Sequence, residues 1–255
     1  AFVQEMRQWQ VDWQMIQYGG AVHSFTKKEA GENAASGSAY HPQADRRSWA
    51  HMKAFFKEIF PHAEGGWSSL FDERSLTGWV QKNGTATYRV EDRCIVGKTS
   101  DGSPNSFLCS SRDYQDFELV YEVQVDEALN SGVQIRSRSL PAFNHGRVHG
   151  PQVEIASNGN AGWIYGEALG TGWLTEDRED ETARGAFRNG AWNHFRILAQ
   201  GNRIQTWVND IPVADYQGDA ESFKEGFIGL QVHGIARDQG PYEVRWRNLY
   251  LRALK

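Results

Sequence analysis

Val133-Gln134-Ile135-Arg136-Ser137-Arg138 reads as an alternation of apolar and polar residues, and two further segments repeat the pattern: Gln152-Val153-Glu154-Ile155 and Ile228-Gly229-Leu230-Gln231-Val232-His233. Period-two alternation predicts strands that bury one face. The predicted core set is Val133, Ile135, Val153, Ile155, Ile228, Leu230 and Val232. The opposite set is Gln134, Arg136, Arg138, Gln152, Glu154, Gln231 and His233. An ordinary solvated face is rich in Lys, Thr and Ser. This one collects amides, guanidinium groups, a carboxylate and an imidazole, the groups that hydrogen-bond sugar hydroxyls and move protons. If the three strands share a sheet, those residues form one binding surface. The plain alternative is a half-exposed sheet face, with Glu154 ion-paired to Arg136 and His233 held as a hydrogen-bonded sheet histidine.

Outward from these segments the same texture continues. Further strands are predicted over 87–90, 94–98, 107–110, 117–125, 192–199, 203–208 and 244–251, with turn signals at Asn83-Gly84, Asn189-Gly190 and Asn209-Asp210. So many short strands imply a mainly β chain, a sandwich or jelly roll. Residues before about 60 read differently. Trp49, Met52, Phe55, Phe56, Ile59 and Phe60 recur at helical spacing between charged residues, which predicts a helix over 45–60. Pro61-His62-Ala63-Glu64-Gly65-Gly66 breaks that helix and reads as a linker. The predicted organisation is an N-terminal α/β appendage over 1–60, a linker over 61–66 and a β domain over 67–255.

Composition narrows the function. A chain of 255 residues with net charge −5 and ten Trp is globular, and it lacks the basic surface that nucleic acid or an anionic membrane requires. No apolar run reaches membrane-span length. Cys94 and Cys109 have no metal-ligand spacing and are expected as buried free thiols. The opening Ala1-Phe2-Val3-Gln4 reads like the interior of a longer protein.

Several motifs carry a resemblance. Gly66-Trp67-Ser68-Ser69-Leu70-Phe71-Asp72 through Leu76-Thr77-Gly78-Trp79 open the second piece, followed by Asp116-Phe117-Glu118-Leu119 and Asn130-Ser131-Gly132-Val133. Arg147-Val148-His149-Gly150-Pro151-Gln152-Val153-Glu154-Ile155, Trp163-Ile164-Tyr165-Gly166-Glu167, Trp192-Asn193, Leu230-Gln231-Val232-His233-Gly234 and Arg245-Trp246-Arg247-Asn248 complete the set. In this order they resemble the 3-keto-disaccharide hydrolase domain family (DUF1080) over residues 66–255. The resemblance implies a concanavalin-like jelly roll of two antiparallel sheets, a sugar site on the concave sheet, and a periplasmic or extracellular protein of bacterial type. In the first piece, Tyr18-Gly19-Gly20-Ala21-Val22-His23-Ser24-Phe25-Thr26, Ala39-Tyr40 and Ala44-Asp45-Arg46-Arg47-Ser48-Trp49 resemble the C-terminal end of a dienelactone hydrolase. There His23 matches the general base of a triad whose other members would lie upstream. No nucleophile elbow occurs in this chain.

The family resemblance implies a hydrolase or lyase acting on 3-keto-glycosides or related sugars. A C3 ketone acidifies the C2 hydrogen; removing it gives an enolate that expels the C1 substituent, and water then adds. The residues assigned to this chemistry are Glu154 and His233 as base or metal ligand and Arg136 for the enolate charge. Gln134, Arg138, Gln152 and Gln231 are assigned to hydroxyl recognition, Tyr165 and Glu167 to closing the site, and Trp163 and Trp173 to stacking on the ring. No dedicated metal loop is visible. Glu154, His233 and Glu167 are the donors a divalent metal would use, and no cofactor is otherwise expected. Two readings compete with the enzyme: a non-catalytic carbohydrate-binding module, and a remnant of an α/β-hydrolase fusion using His23. A homo-oligomer, or docking of the N-terminal piece on a neighbouring domain, is the expected quaternary arrangement.

Overall fold

The computed structural model describes residues 2–8, 13–59, 65–175, 179–219 and 223–254. The chain divides into two compact units, Ala1–Glu64 and Gly65–Lys255. In the first, α1 spans Phe2–Gln8 and α2 spans Pro42–Ile59. Proline suits the first position of α2 because its fixed φ is already helical and it leaves no N–H to satisfy. The ring Nδ1 of His41 accepts the Ala44 N–H at 3.3 Å and caps the first turn. The predicted apolar stripe is only partly buried, with Trp49 58% exposed. His23 is exposed and its backbone bridges to Ser38. Phe60 and residues 61–64 of the expected linker lie outside the described residues.

The second unit is built from antiparallel strands: β1 Trp67–Ser69, β2 Trp79–Lys82, β3 Thr87–Glu91, β4 Cys94–Lys98, β5 Ser106–Tyr114, β6 Phe117–Val125, β7 Ser131–Ser139 and β8 Val148–Ile155. They continue as β9 Ile164–Glu167, β10 Gly172–Trp173, β11 Asn193–Gln200, β12 Arg203–Val208, β13 Ile211–Gln217, β14 Gly226–Val232 and β15 Glu243–Ala253, with one helical turn, α3 (Glu181–Arg184), before β11. One sheet runs β13-β12-β11-β6-β15-β4-β3 with β1 on the end of β15, and the other runs β10-β9-β8-β7-β14-β5-β2. The inner faces form one core in which Val133, Ile135, Val153, Ile155, Ile228 and Leu230 pack with Leu119, Tyr121, Phe195, Ile197 and Trp246. Each such large apolar side chain contributes roughly 1.5–3 kcal/mol by leaving water. The fold is therefore the expected jelly-roll sandwich, and the three alternating segments are the adjacent strands β8, β7 and β14 of the second sheet.

The outer face of the first sheet is closed by cross-strand ion pairs such as Arg247–Glu122 at 2.7 Å and Arg196–Glu118 at 2.6 Å. Asn209 and Asp210 both have positive φ and turn β12 into β13, as their sequence suggests. Asn83-Gly84 instead carries the chain from one sheet to the other, between β2 and β3. Trp79 and Trp246 are buried in the core, whereas Trp67 is half-buried with the Arg252 guanidinium over its ring. Cys94 and Cys109 are buried free thiols, and burial pushes Cys109 up to about 12.

A bulge in β7 breaks the period-two pattern. Opposite β14, Gln134 to Ser137 is three steps where Gly229 to Phe227 is two; opposite β8, Gln134 to Arg138 is four where Gln152 to His149 is three. The extra residue includes Arg136 at φ 47. Its side chain therefore leaves the polar row, which corrects its assignment as a site residue. It is 1% exposed, and its guanidinium donates to the carbonyls of Gln115 and Gly201, each at 2.6 Å, and to the Asp116 carboxylate at 2.8 Å. Arg136 bolts two turns to the edge of the sandwich and is not the partner of Glu154.

Candidate functional site

Beyond the bulge, Ser137 returns to the face of Gln134 and starts a chain of buried hydrogen bonds. Ser137 Oγ donates to Gln134 Oε1 at 2.7 Å, Gln134 Nε2 to Gln152 Oε1 at 2.6 Å, and Gln152 Nε2 to Glu154 Oε2 at 2.9 Å. Asn130, in the loop before β7, donates its Nδ2–H to Glu154 Oε1. Every bond in this series points at the carboxylate, so the network orients Glu154 and favours its ionised form.

Burial opposes it. Glu154 is only 6% exposed, and desolvation pushes its pKa up to about 7. The bonds from Gln152 and Asn130 pull the other way, and the nearby charge of Glu167 adds to the rise. A carboxyl poised near neutrality is suited to taking and returning a proton.

These groups line a cleft of about 620 Å³ on the outer face of the second sheet. Gln152 and Glu154 come from β8, Tyr165 and Glu167 from β9, Trp173 from β10, Gln231 from β14, and His233 from the residue just past its end. The rings of Tyr165 and Trp173 meet edge to face at 5.3 Å and form an aromatic wall. Glu167 is buried and accepts from Arg147 at 3.2 Å. His233 is exposed, with Nδ1 2.7 Å from the Gly234 carbonyl. A carbonyl only accepts, so Nδ1 carries the hydrogen and Nε2 of the neutral ring is left to accept.

The cleft thus gathers Glu154, His233, Gln152, Gln231, Tyr165, Glu167 and Trp173 from the predicted set. It does not gather the rest. Gln134 lies beneath it as the link between Ser137 and Gln152. Arg138 is exposed and outside the lining. Trp163 faces the inter-sheet core, where its indole N–H donates to the Gly159 carbonyl at 3.3 Å. Loops add residues that alternation could not find: Asn105, Asn130 and Arg147. Arg147 and Asn130 did stand in quoted motifs, but nothing in their local pattern marked them as functional. His149 is stacked on Phe143 at 3.9 Å with Nδ1 bound to the Arg147 carbonyl, a structural position. Among the described residues, no group of three or more His, Cys, Asp or Glu is placed to hold a metal ion. None is long and apolar enough as a helix to cross a membrane.

Residues 66–252 match the family described as the 3-keto-alpha-glucoside-1,2-lyase-like domain, and residues 1–60 match the dienelactone hydrolase family. A stretch of 60 residues is 43% identical to an uncharacterized protein of Caenorhabditis elegans; it covers 24% of this chain and 38% of that protein, well under two thirds of its length. Among solved structures, a carbohydrate-binding module, CBM66, from Bacillus subtilis superposes with a TM-score of 0.51 at 20% identity, covering 69% of this chain and 96% of that one. A Bacillus subtilis protein of unknown function with a galectin-like fold gives 0.53 at 9% identity, covering 73% and 94%. At such identities the likeness is one of fold.

Proposed function

Because the chain belongs to the 3-keto-alpha-glucoside-1,2-lyase-like domain family, we propose that its cleft binds a 3-keto-glycoside and cleaves it by elimination across C1 and C2. The observation that carries this reading is Glu154: a buried carboxyl held near neutrality at the floor of a sugar-sized cleft. The C3 ketone acidifies the C2 hydrogen. Glu154 takes that proton, and the electron pair passes to the C3 oxygen as an enolate. Collapse of the enolate forms the C1–C2 double bond and breaks the bond from C1 to its oxygen substituent, which departs with a proton. His233 at the rim is the imidazole placed to pass that proton on, and water adds to the unsaturated ketone afterwards.

The other cleft residues fit a hexose ring. Tyr165 and Trp173 offer apolar faces to its C–H edges, while Gln152 and Asn130 keep Glu154 aimed inward. A periplasmic or extracellular site of action belongs to the same proposal. The reading rests on residues 65–255 alone.

The test is release of a chromogenic aglycone from a 3-keto-glucoside, with the unoxidised glucoside as control, by wild type and Glu154→Gln. Release that requires the keto group and falls at least ~10²-fold in the variant supports elimination with Glu154 as base. Saturable sugar binding without release from either substrate refutes it and identifies a carbohydrate-binding module.

A further inference from the structure

The elimination leaves one role unassigned: a donor to the C3 oxygen, where negative charge collects as C2 loses its proton. The guanidinium expected there, Arg136, lies outside the cleft, and Arg147 at its rim is already paired with Glu167. Gln231 has the opposite problem. It lines the cleft and is fully buried, yet neither its Nε2 nor its Oε1 has a hydrogen-bond partner. Leaving both ends of a buried amide unpaired carries a penalty that folded proteins seldom retain without a reason.

Strand register places this amide opposite the base. Gln231 on β14 faces Gly132 on β7, and Gly132 faces Glu154 on β8. The three positions form one line across the sheet with no side chain at the middle one. The line spans two inter-strand steps, roughly 9–10 Å between its outer Cα atoms. The strand carrying the amide is itself pinned, since Ser131 Oγ donates to the Gln231 carbonyl at 2.7 Å and Asn105 Oδ1 accepts the Gly234 N–H at 2.9 Å.

We propose that Gln231 donates through Nε2–H to the C3 oxygen of the substrate and stabilises the enolate formed when Glu154 takes the C2 proton, an assignment that rests on the elimination reading above. C2 and C3 are bonded neighbours, so base and donor must approach one edge of the ring from two sides, as this row allows. The bond to the oxygen strengthens as charge develops there, which favours the transition state over the bound substrate. Oε1 remains to accept from a neighbouring hydroxyl. The amide is fully buried in this structure, and the broad terminal torsion of glutamine lets it turn toward a ligand oxygen that enters the cleft.

Gln231→Met keeps the length of the side chain and removes both polar ends. On the chromogenic 3-keto-glucoside we expect kcat to fall by about 10²-fold with KM changed less than about threefold. The melting temperature should hold or rise, because an unpaired buried amide has gone. Wild-type kcat in a variant of equal or higher melting temperature overturns the assignment, leaving Gln231 a packing residue. If the Met variant does not fold, Gln231→Asn decides, since it keeps the amide but withdraws it by one methylene. A kcat loss of about tenfold or more in Gln231→Asn supports the role and an unchanged kcat overturns it. Wild-type protein that releases nothing from the keto substrate overturns the elimination reading and Gln231's role with it. Wild-type release with unaffected Gln231 variants overturns that role alone.

Discussion

Replacing Glu154 by glutamine removes a carboxyl that burial pushes from its ordinary 4.5 to about 7. Its effect on stability has a defined sign. Between pH 4.5 and 7 the folded chain keeps the Glu154 proton while the unfolded chain has lost it. The folded state then binds more protons, so stability falls as pH rises through that window. At 1.36 kcal/mol per pH unit, the full difference is about 3 kcal/mol, of which about 2.5 kcal/mol develops between pH 5 and pH 8. Glutamine does not titrate and keeps the shape. It does turn an NH₂ toward either Asn130 or Gln152, which now donate to the two carboxylate oxygens; losing one such bond costs about 1 kcal/mol. The expected result is a variant slightly less stable than wild type at pH 5 and more stable by about 2 kcal/mol at pH 8. Urea unfolding at fixed ionic strength over this range, followed by tryptophan fluorescence, measures it. Activity should follow the opposite course on its acid limb, with wild-type kcat/KM rising with pH through a midpoint near 7, because the base works ionised. A stability difference between the two proteins that does not change from pH 5 to pH 8 would refute the argument that Glu154 is a desolvated, titrating carboxyl.

Two further substitutions separate support of the site from its chemistry. A methyl group on Gly132 would lie 2.5 Å from Gln152 Cδ, so Gly132→Ala should destabilise the second unit by about 1–3 kcal/mol and lower activity by displacing Gln152 from Glu154. In a double-mutant cycle with Gln152→Ala the stability losses should be strongly non-additive, because removing the glutamine vacates the space; additive losses would count against the packing described. Arg136→Met should cost about 3–5 kcal/mol by leaving the Gln115 and Gly201 carbonyls and Asp116 without their buried partner. Its kcat/KM at a temperature where it remains folded should match wild type, and a selective loss of kcat would return Arg136 to the site.

How much of this was legible in the sequence depends on whether period two holds. It holds through β8 and β14, so Gln152, Glu154 and Gln231 share a face and their apolar neighbours share the core, as the alternation says. It fails in β7, where one inserted residue at positive φ carries Arg136 away from Gln134 while returning Ser137 to it. The one trace in Ile135-Arg136-Ser137 is a polar serine where period two calls for an apolar residue; no glycine marks the bulge, since the residue in the left-handed region is an arginine. The short strands β1, β2, β9 and β10 have too few residues for periodicity to register, and β13 (Ile211–Gln217) is masked by a proline at its second position. Trp163 shows the limit of composition: a tryptophan beside the site strands suggested a sugar platform, but it sits one residue before β9 and on the core side. Asn130 and Arg147 reach the cleft from loops, where placement depends on tertiary turns rather than on any repeat.

The polar face itself differs from a solvated surface in a way the sequence does contain. Gln134, Gln152 and Gln231 are all buried, which three glutamines on ordinary adjacent strands could not be, because neighbouring side chains would crowd them. Glycines make the room. Gln134 stands opposite Gly229, whose added Cβ would lie 3.2 Å from that of Gln134, and Gln231 stands opposite Gly132, over which Gln152 extends. Gln134 and Gln231 are each matched across the β7–β14 ladder by a residue with no side chain, while Gln152 stands opposite Gln134 on β7, so the amides of Gln134 and Gln152 bond to one another instead of projecting into water. The glycines at 132 and 229 weaken their strands locally. What they provide is a layer of oriented amides beneath the cleft, in which Ser137, Gln134 and Gln152 lead to Glu154 and only Gln231 is left unpaired. Reading glycine and glutamine as cross-strand partners, rather than as independent positions in three strands, would have distinguished this face from a solvated one.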